Sequence, residues 1–419
     1  MKKVAIAALG ALTAAAALAQ DAPPVANVGV LLDYTGALAE FGPNMENGAR
    51  LAAAQLNIAA ESVLGGPLIN LIFEDGATSA TNGVDRARKL VDTDGVVAIV
   101  GSLASGVTVA VSEAVTTPGE VVLMSPASTS PLITILPDND WLFRTVASDA
   151  TQGIVGAELA RGEIFADHSV DTASIFYINS PYGQGLADAF EAAFVNRGGT
   201  VLSRVAHPEE PQPTYAAQLE QLLAGNPDMI LAVSYPGQAT VYMTEARDLY
   251  GFTSWQYVDG TQSLEIIEAV GADILEGQYG TAPGADPEWG GAEAFQNYYE
   301  DAFGELPNLP FIDTTYDAVI SIGLAAAAAH LAGDAVTSHS VRDNLRAINA
   351  ADGQTVGVGE FVAALQALAA GNAIDYSGAA GEVDFDEYGD VVTPVQIWQF
   401  QSGDITPVAI RRADEIPAE

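Results

Sequence analysis

The sequence predicts an α/β protein built from two doubly wound lobes, each around a parallel sheet. Three observations lead there. Apolar, β-branched runs alternate with helical patterns, as in a parallel sheet covered on both faces. The alternation restarts after Arg144 with a second unit of similar size. The 419 residues also exceed one comfortable core.

The elements follow in order. Residues 27–32 read as a buried strand and 43–60 as a helix. A strand at 68–73, a helix at 84–91, a strand at 96–100, a helix opening near Ser105 and a strand at 121–124 complete the first unit. In the second unit the pattern predicts helices at 151–163, 185–196, 215–223, 238–249 and 264–270. Extended runs fall at 173–178, 200–205, 229–233 and 256–258. Residues 292–370 read as helical with breaks, and extended runs at 382–385 and 395–401 flank a turn at 386–390. No Pro-, Gly- or Ser-rich linker separates the units, so the chain is expected to cross through short ordered segments such as 143–148 and 277–283, which would act as hinges.

Composition narrows the function. There are 54 acidic against 15 basic residues, for a formal net charge of −39. That excludes phosphate-backbone recognition of nucleic acid and opposes docking on an anionic membrane. With 49% apolar residues the chain can bury a large core. A lysine-poor acidic surface suits a saline medium, where counterions screen self-repulsion. The absence of cysteine removes thiol nucleophiles, disulfides, thiolate zinc and a lipoprotein anchor. Lys2 and Lys3, the apolar run 4–16 and Ala17-Leu-Ala19 form an expected signal peptide over residues 1–19. No later run is expected to span a membrane. The Ala-rich segment 320–331 suits a packed helix, and the reading is of an exported, soluble chain.

Enzyme signatures are missing. His168, His207, His330 and His339 fit no metalloprotease spacing, and there is no nucleophile elbow, Walker loop or dinucleotide fingerprint. The acidic turn Asp384-Phe-Asp-Glu-Tyr-Gly-Asp390 offers closely spaced oxygens but not the spacing of a calcium loop, and reads as a hairpin turn with Gly389 at positive φ. No cofactor or metal is expected.

The strand-to-helix junctions are richer. Ser105 opens a helix after a buried strand, where it either caps that helix or helps present free N–H groups to a carboxylate. Ser125-Pro-Ala-Ser-Thr-Ser-Pro131 lies at a strand's carboxyl end, where open α/β sheets place ligands. Ala127, Ser128 and Thr129 offer carbonyls and hydroxyls there, or form an ordinary loop. Tyr182, Tyr235 and Asp259 stand at strand ends of the second unit, two as aromatic walls and one as a partner for a cation. Together these describe an amino-acid pocket between lobes.

In this order and spacing the chain resembles the type I periplasmic binding proteins of ABC importers, in the branched-chain (Leu/Ile/Val) group. The marks are Thr35-Gly-Ala-Leu-Ala-Glu-Phe-Gly42, Ile99-Val-Gly-Ser-Leu-Ala-Ser105, Ser125-Pro-Ala-Ser-Thr129, Leu142-Phe-Arg-Thr145, Tyr182-Gly-Gln-Gly185, Thr315-Tyr-Asp-Ala-Val319 and Gly381-Glu-Val-Asp-Phe-Asp-Glu-Tyr-Gly-Asp390. The resemblance covers essentially the whole chain after the signal peptide. It implies two lobes joined by three crossings, with 20–146 and 281–378 in one and 147–280 and 379–419 in the other. It implies that Ser105 and Thr129 hold an α-carboxylate, that the Ala127 carbonyl and Asp259 hold the ammonium, and that Tyr182 and Tyr235 close from the second lobe. Relatives often carry tyrosine at the position of Phe41 and glutamate at that of Asp259, and some bind amides, urea or small aromatic acids. The implied role is a monomeric periplasmic receptor that passes a small molecule to an inner-membrane permease, or a sensor using the same cleft.

Overall fold

The computed structural model describes residues 22–417. The expected signal peptide lies outside the described residues. The first sheet is wholly parallel, in the order β2 (Ile69–Asp75), β1 (Ala26–Leu32), β3 (Ala98–Gly101), β4 (Val122–Ser125), β5 (Leu142–Arg144). Strand β1 is interior and almost wholly buried, which is why it reads as a continuous apolar run. The reversal of direction beside β1 is the topological switch point at which such sheets bind ligands.

The second sheet has seven strands. Strands β6 (Thr172–Ile178), β7 (Thr200–His207), β8 (Met229–Val233), β9 (Trp255–Tyr257) and β10 (Tyr279–Pro283) are parallel. After a small parallel pair, β11 (Gln354–Val356) with β12 (Ile374–Tyr376), the chain adds β13 (Val395–Gln401) and β14 (Asp404–Arg411) antiparallel at one edge. This sheet is therefore mixed.

Several helices start on the residue type that sequence rules favour. Ser79, Ser148, Ser180 and Ser263 each accept a hydrogen bond from an amide of the first turn they precede. These caps move two expected boundaries. The helix read at 151–163 is Asp149–Ala160, and the one read at 185–196 is Pro181–Asn196, which carries Tyr182 into a first helical turn. Helix Ile312–Ala332 is long and apolar enough to cross a membrane, yet it packs against helix Gly42–Leu64 and is buried along most of its length.

Three expectations change. Residues 382–385 form no ladder strand and contribute one isolated bridge, Ser377 with Glu382. The turn at 386–390 has Gly389 at φ +77°, as expected, but joins no hairpin; its Gly389 carbonyl accepts from the Arg144 amide of β5 at 3.0 Å. The true hairpin turn is Ser402-Gly403, both at positive φ. Residues 279–283, expected to cross, are a strand of the second sheet. The chain passes between the sheets after β5, after β10 and between β12 and β13.

Candidate functional site

Six loops leave the carboxyl ends of strands and meet between the sheets. From the first sheet come 33–41 after β1, 102–105 after β3 and 126–130 after β4. From the second come 179–182 after β6, 234–235 after β8 and 258–260 after β9. They enclose a tight cavity of about 20 Å³, enough to hold a water. The lining is Leu38, Phe41, Leu103, Ser105, Ala127, Tyr182, Tyr235, Asp259, Gly260 and Phe311.

The wall from the first lobe is tightly built. The Ser130 amide donates to Ser105 Oγ at 3.3 Å. The residue before Ser105, Ala104, holds the cap position without a side-chain bond, so Ser105 does not cap its own helix; its hydroxyl braces the neighbouring loop. Ser125 Oγ donates to the Ser102 carbonyl at 2.8 Å, and Thr314 Oγ1, on the helix of the following segment, donates to the Pro126 carbonyl at 2.8 Å. Ser128 spends its hydroxyl on the Ser102 and Leu103 carbonyls, at 3.2 and 3.0 Å, and on Thr108 at 2.8 Å. It builds the wall and does not line the cavity. Thr129 lies just behind the lining, buried, beside Asp149. Phe41 is buried and meets Phe311 edge to face at 6.4 Å.

The wall from the second lobe carries the charge. Asp259 is buried, and its Oδ1 accepts from Tyr182 Oη and Gln152 Nε2, both at 2.8 Å. Gln152 also reaches the Thr281 carbonyl at 3.1 Å. Burial drives the Asp259 pKa up to about 6 against the pull of these donors. The rings of Tyr182 and Tyr235 stack at 5.4 Å, and burial followed by nearby carboxylates keeps both phenols protonated. Gly260 has no room for a side chain: a Cβ would sit 2.4 Å from the Ser234 carbonyl oxygen and 2.9 Å from Tyr182 Oη.

Asp149, which sequence reasoning missed, is fully buried, and neither carboxyl oxygen meets a hydrogen-bond partner at full geometry. Burial first, then the charge of Asp259, pushes its pKa well up. Its amide donates to the Thr129 carbonyl at 2.8 Å, which ties it to the other lobe's loop. Two acids thus share one dry region. The only signal in the sequence was local: Ser148-Asp149 opens a helix, and Gln152, three residues on, shares its face. Phe311, at φ +74° before helix Ile312–Ala332, gave no signal at all.

The lobes touch around the cavity. Ser130 Oγ donates to the Pro181 carbonyl at 2.8 Å. Glu40, on the loop after β1, accepts from Ser263 Oγ and, at 2.8 Å, from the Leu264 amide, so it caps helix Leu264–Val270 across the gap. A more open crevice of about 200 Å³ lies beside the crossings, between Pro283, Leu306 and Pro310, away from the convergent strand ends. No group of three or more metal-binding side chains clusters among the described residues.

Two buried acids, hydroxyl groups and apolar rings thus line or flank one small cavity. Comparison with known proteins gives the following likenesses. The profile of a family described as periplasmic binding protein matches residues 25–404. The chemotactic signal transduction system substrate-binding protein BasB of Halobacterium salinarum is 27% identical over 339 residues, 80% of this chain and 77% of that protein. Leu/Ile/Val-binding protein homolog 3 of Brucella melitensis is 33% identical over 172 residues, 41% of this chain and 44% of that protein. The crystal structure of a leucine binding protein, LivK, from Thermotoga maritima superposes with a TM-score of 0.75 at 24% identity, covering 93% of this chain and all of that one.

Proposed function

Because this chain belongs to the periplasmic binding protein family, whose members are extracytoplasmic binding proteins and not enzymes, we propose that it binds a small α-amino acid between its lobes and hands it to an ABC importer. The observation that carries this reading is the pair Asp149 and Asp259, buried beside a cavity whose apolar walls include Leu38, Phe41, Leu103 and Phe311. No Lys or Arg pairs directly with either acid among the described residues, Arg144 acting on Asp149 only from a distance, so the two call for an ammonium, and the apolar end calls for an aliphatic side chain. Ser105, Thr129 and the Ala127 carbonyl supply the polar partners on the facing wall. The names of relatives that bind leucine, isoleucine and valine support the same class.

Calorimetry with L-leucine, L-isoleucine, L-valine, an amide, urea and benzoate tests this. The aliphatic amino acids are expected to bind, and the ligands without an ammonium are not. No binding by any of them removes the proposal. Asp259→Ala is expected to weaken L-leucine by about 1–3 kcal/mol, the cost of a charged partner lost. Equal affinity would take Asp259 out of the site.

In this reading the chain is a monomer in the periplasm, exported by residues 1–19, with lobes at 20–146 plus 281–378 and 147–280 plus 379–419. A second role, reporting ligand to a membrane receptor, is favoured by the likeness to a chemotactic binding protein over 80% of the chain. Ligand-dependent association with a permease, against association with a chemoreceptor ectodomain, separates the two.

A further inference from the structure

The ligand site leaves two sequence motifs unused, the Leu142-Phe-Arg-Thr145 run and the acidic turn ending at Asp390, and the structure joins them. Arg144 ends β5 and is fully buried. One side of its guanidinium grips Asp390, Nε to Oδ1 at 2.7 Å and Nη2 to Oδ2 at 2.5 Å. Nη2 also donates to Thr134 Oγ1 at 2.8 Å, and that hydroxyl donates to Asp390 Oδ2 at 2.6 Å. The other side faces the loop after β4. Nη1 donates to the Thr129 and Ser130 carbonyls, both at 3.1 Å, and to the Ser128 carbonyl at 3.4 Å. Three consecutive peptides therefore turn their oxygens toward one buried cation that does not line the cavity.

The position in the chain matters as much as the bonds. Arg144 immediately precedes the first crossing, and Asp390 lies in the third, between β12 and β13. Burying an ion pair is a poor route to stability, because desolvation consumes most of the attraction. What a planar guanidinium adds is geometry: it can hold a carboxylate in a fork and still aim a separate N–H at carbonyls, which a lysine ammonium does not reproduce.

We propose that Arg144 is a positioning residue for ligand binding. Anchored by Asp390, it fixes the peptides of residues 128–130 so that the Ala127 carbonyl meets the ligand head group and Thr129 stays set behind it, beside Asp149. In doing so it ties that loop to two of the three crossings. The proposal rests on the amino-acid reading only for its ligand assay.

Arg144→Gln and Asp390→Asn in the full chain test it. Arg144→Gln is expected to weaken L-leucine about tenfold or more, the scale of a charged hydrogen bond lost. It should also shrink the preference for L-leucine over L-leucinol, since a loosened loop loses grip on the head group and not on the tail. Without ligand, amide exchange at Ser128 and Ser130 should quicken by about tenfold while β4 stays protected. Asp390→Asn should shift the same three readouts in the same direction by less, and it carries the test if Arg144→Gln does not fold. Exchange that rises evenly through the first sheet, or an unchanged leucine-to-leucinol ratio in a variant that binds more weakly, would mean a purely structural pair and overturn the proposal. If the unaltered protein binds no amino acid, the amino-acid reading fails, and the exchange measurement still decides the role of Arg144.

Discussion

At the scale of single residues, the site is governed by the cost of burying carboxylates. Asp259 has its pKa raised to about 6 by burial. Its folded-state pKa lies above the unfolded one, so its stabilising share is complete below the ordinary carboxylate range and is lost as pH rises through about 6. In the proposed amino-acid reading, ligand affinity runs the opposite way, because an ammonium needs the ionised form. Affinity for L-leucine is therefore expected to fall below pH 6, by up to about tenfold per pH unit for one linked proton, with protons released on binding near that pH. Calorimetry in two buffers of different ionisation enthalpy measures the release. Affinity that is flat across this range would detach the carboxylates from the ligand. Asp259 was legible in the sequence because it ends an apolar run and precedes a glycine. Asp149 was not, because what matters about it, burial beside Asp259, joins residues far apart in the chain.

At the scale of elements, helix Ile312–Ala332 ties the third crossing to the first lobe through one buried acid. Asp317 Oδ1 accepts from Tyr376 Oη at 2.7 Å and the Ala379 amide at 2.8 Å, and Oδ2 accepts from the Ala380 amide at 2.9 Å. Burial lifts its pKa to about 7 all the same. Asp317→Ala leaves these buried donors unmet and is expected to cost about 1–3 kcal/mol in urea unfolding. Stability equal to that of the parent would show that water takes over the bonds. Most parallel strands were legible because each is a short apolar run flanked by helix signals. Strands β5 and β10 were not, both lying beside the crossings where the sequence read hinge segments, and neither was β14, whose outer positions are largely half-exposed as befits an edge strand. Residues 382–385 have the composition of a strand, but their neighbours are tied to loops, so no ladder forms.

At the scale of the molecule, 54 acidic residues against 15 basic ones load the surface with like charge. Screening shortens from about 10 Å at 0.1 M salt to about 3 Å at 1 M, so melting in potassium chloride is expected to move upward across that interval. A fall instead would show that the ion pairs matter more than the repulsion. The two lobes also share an element end. Glu40 belongs to one lobe, yet the turn it secures belongs to the other. Whatever frays that turn also slackens the grip between the jaws. If the chain binds a molecule between its lobes, as proposed, the residence time of that molecule is expected to carry the heat sensitivity of a helix end.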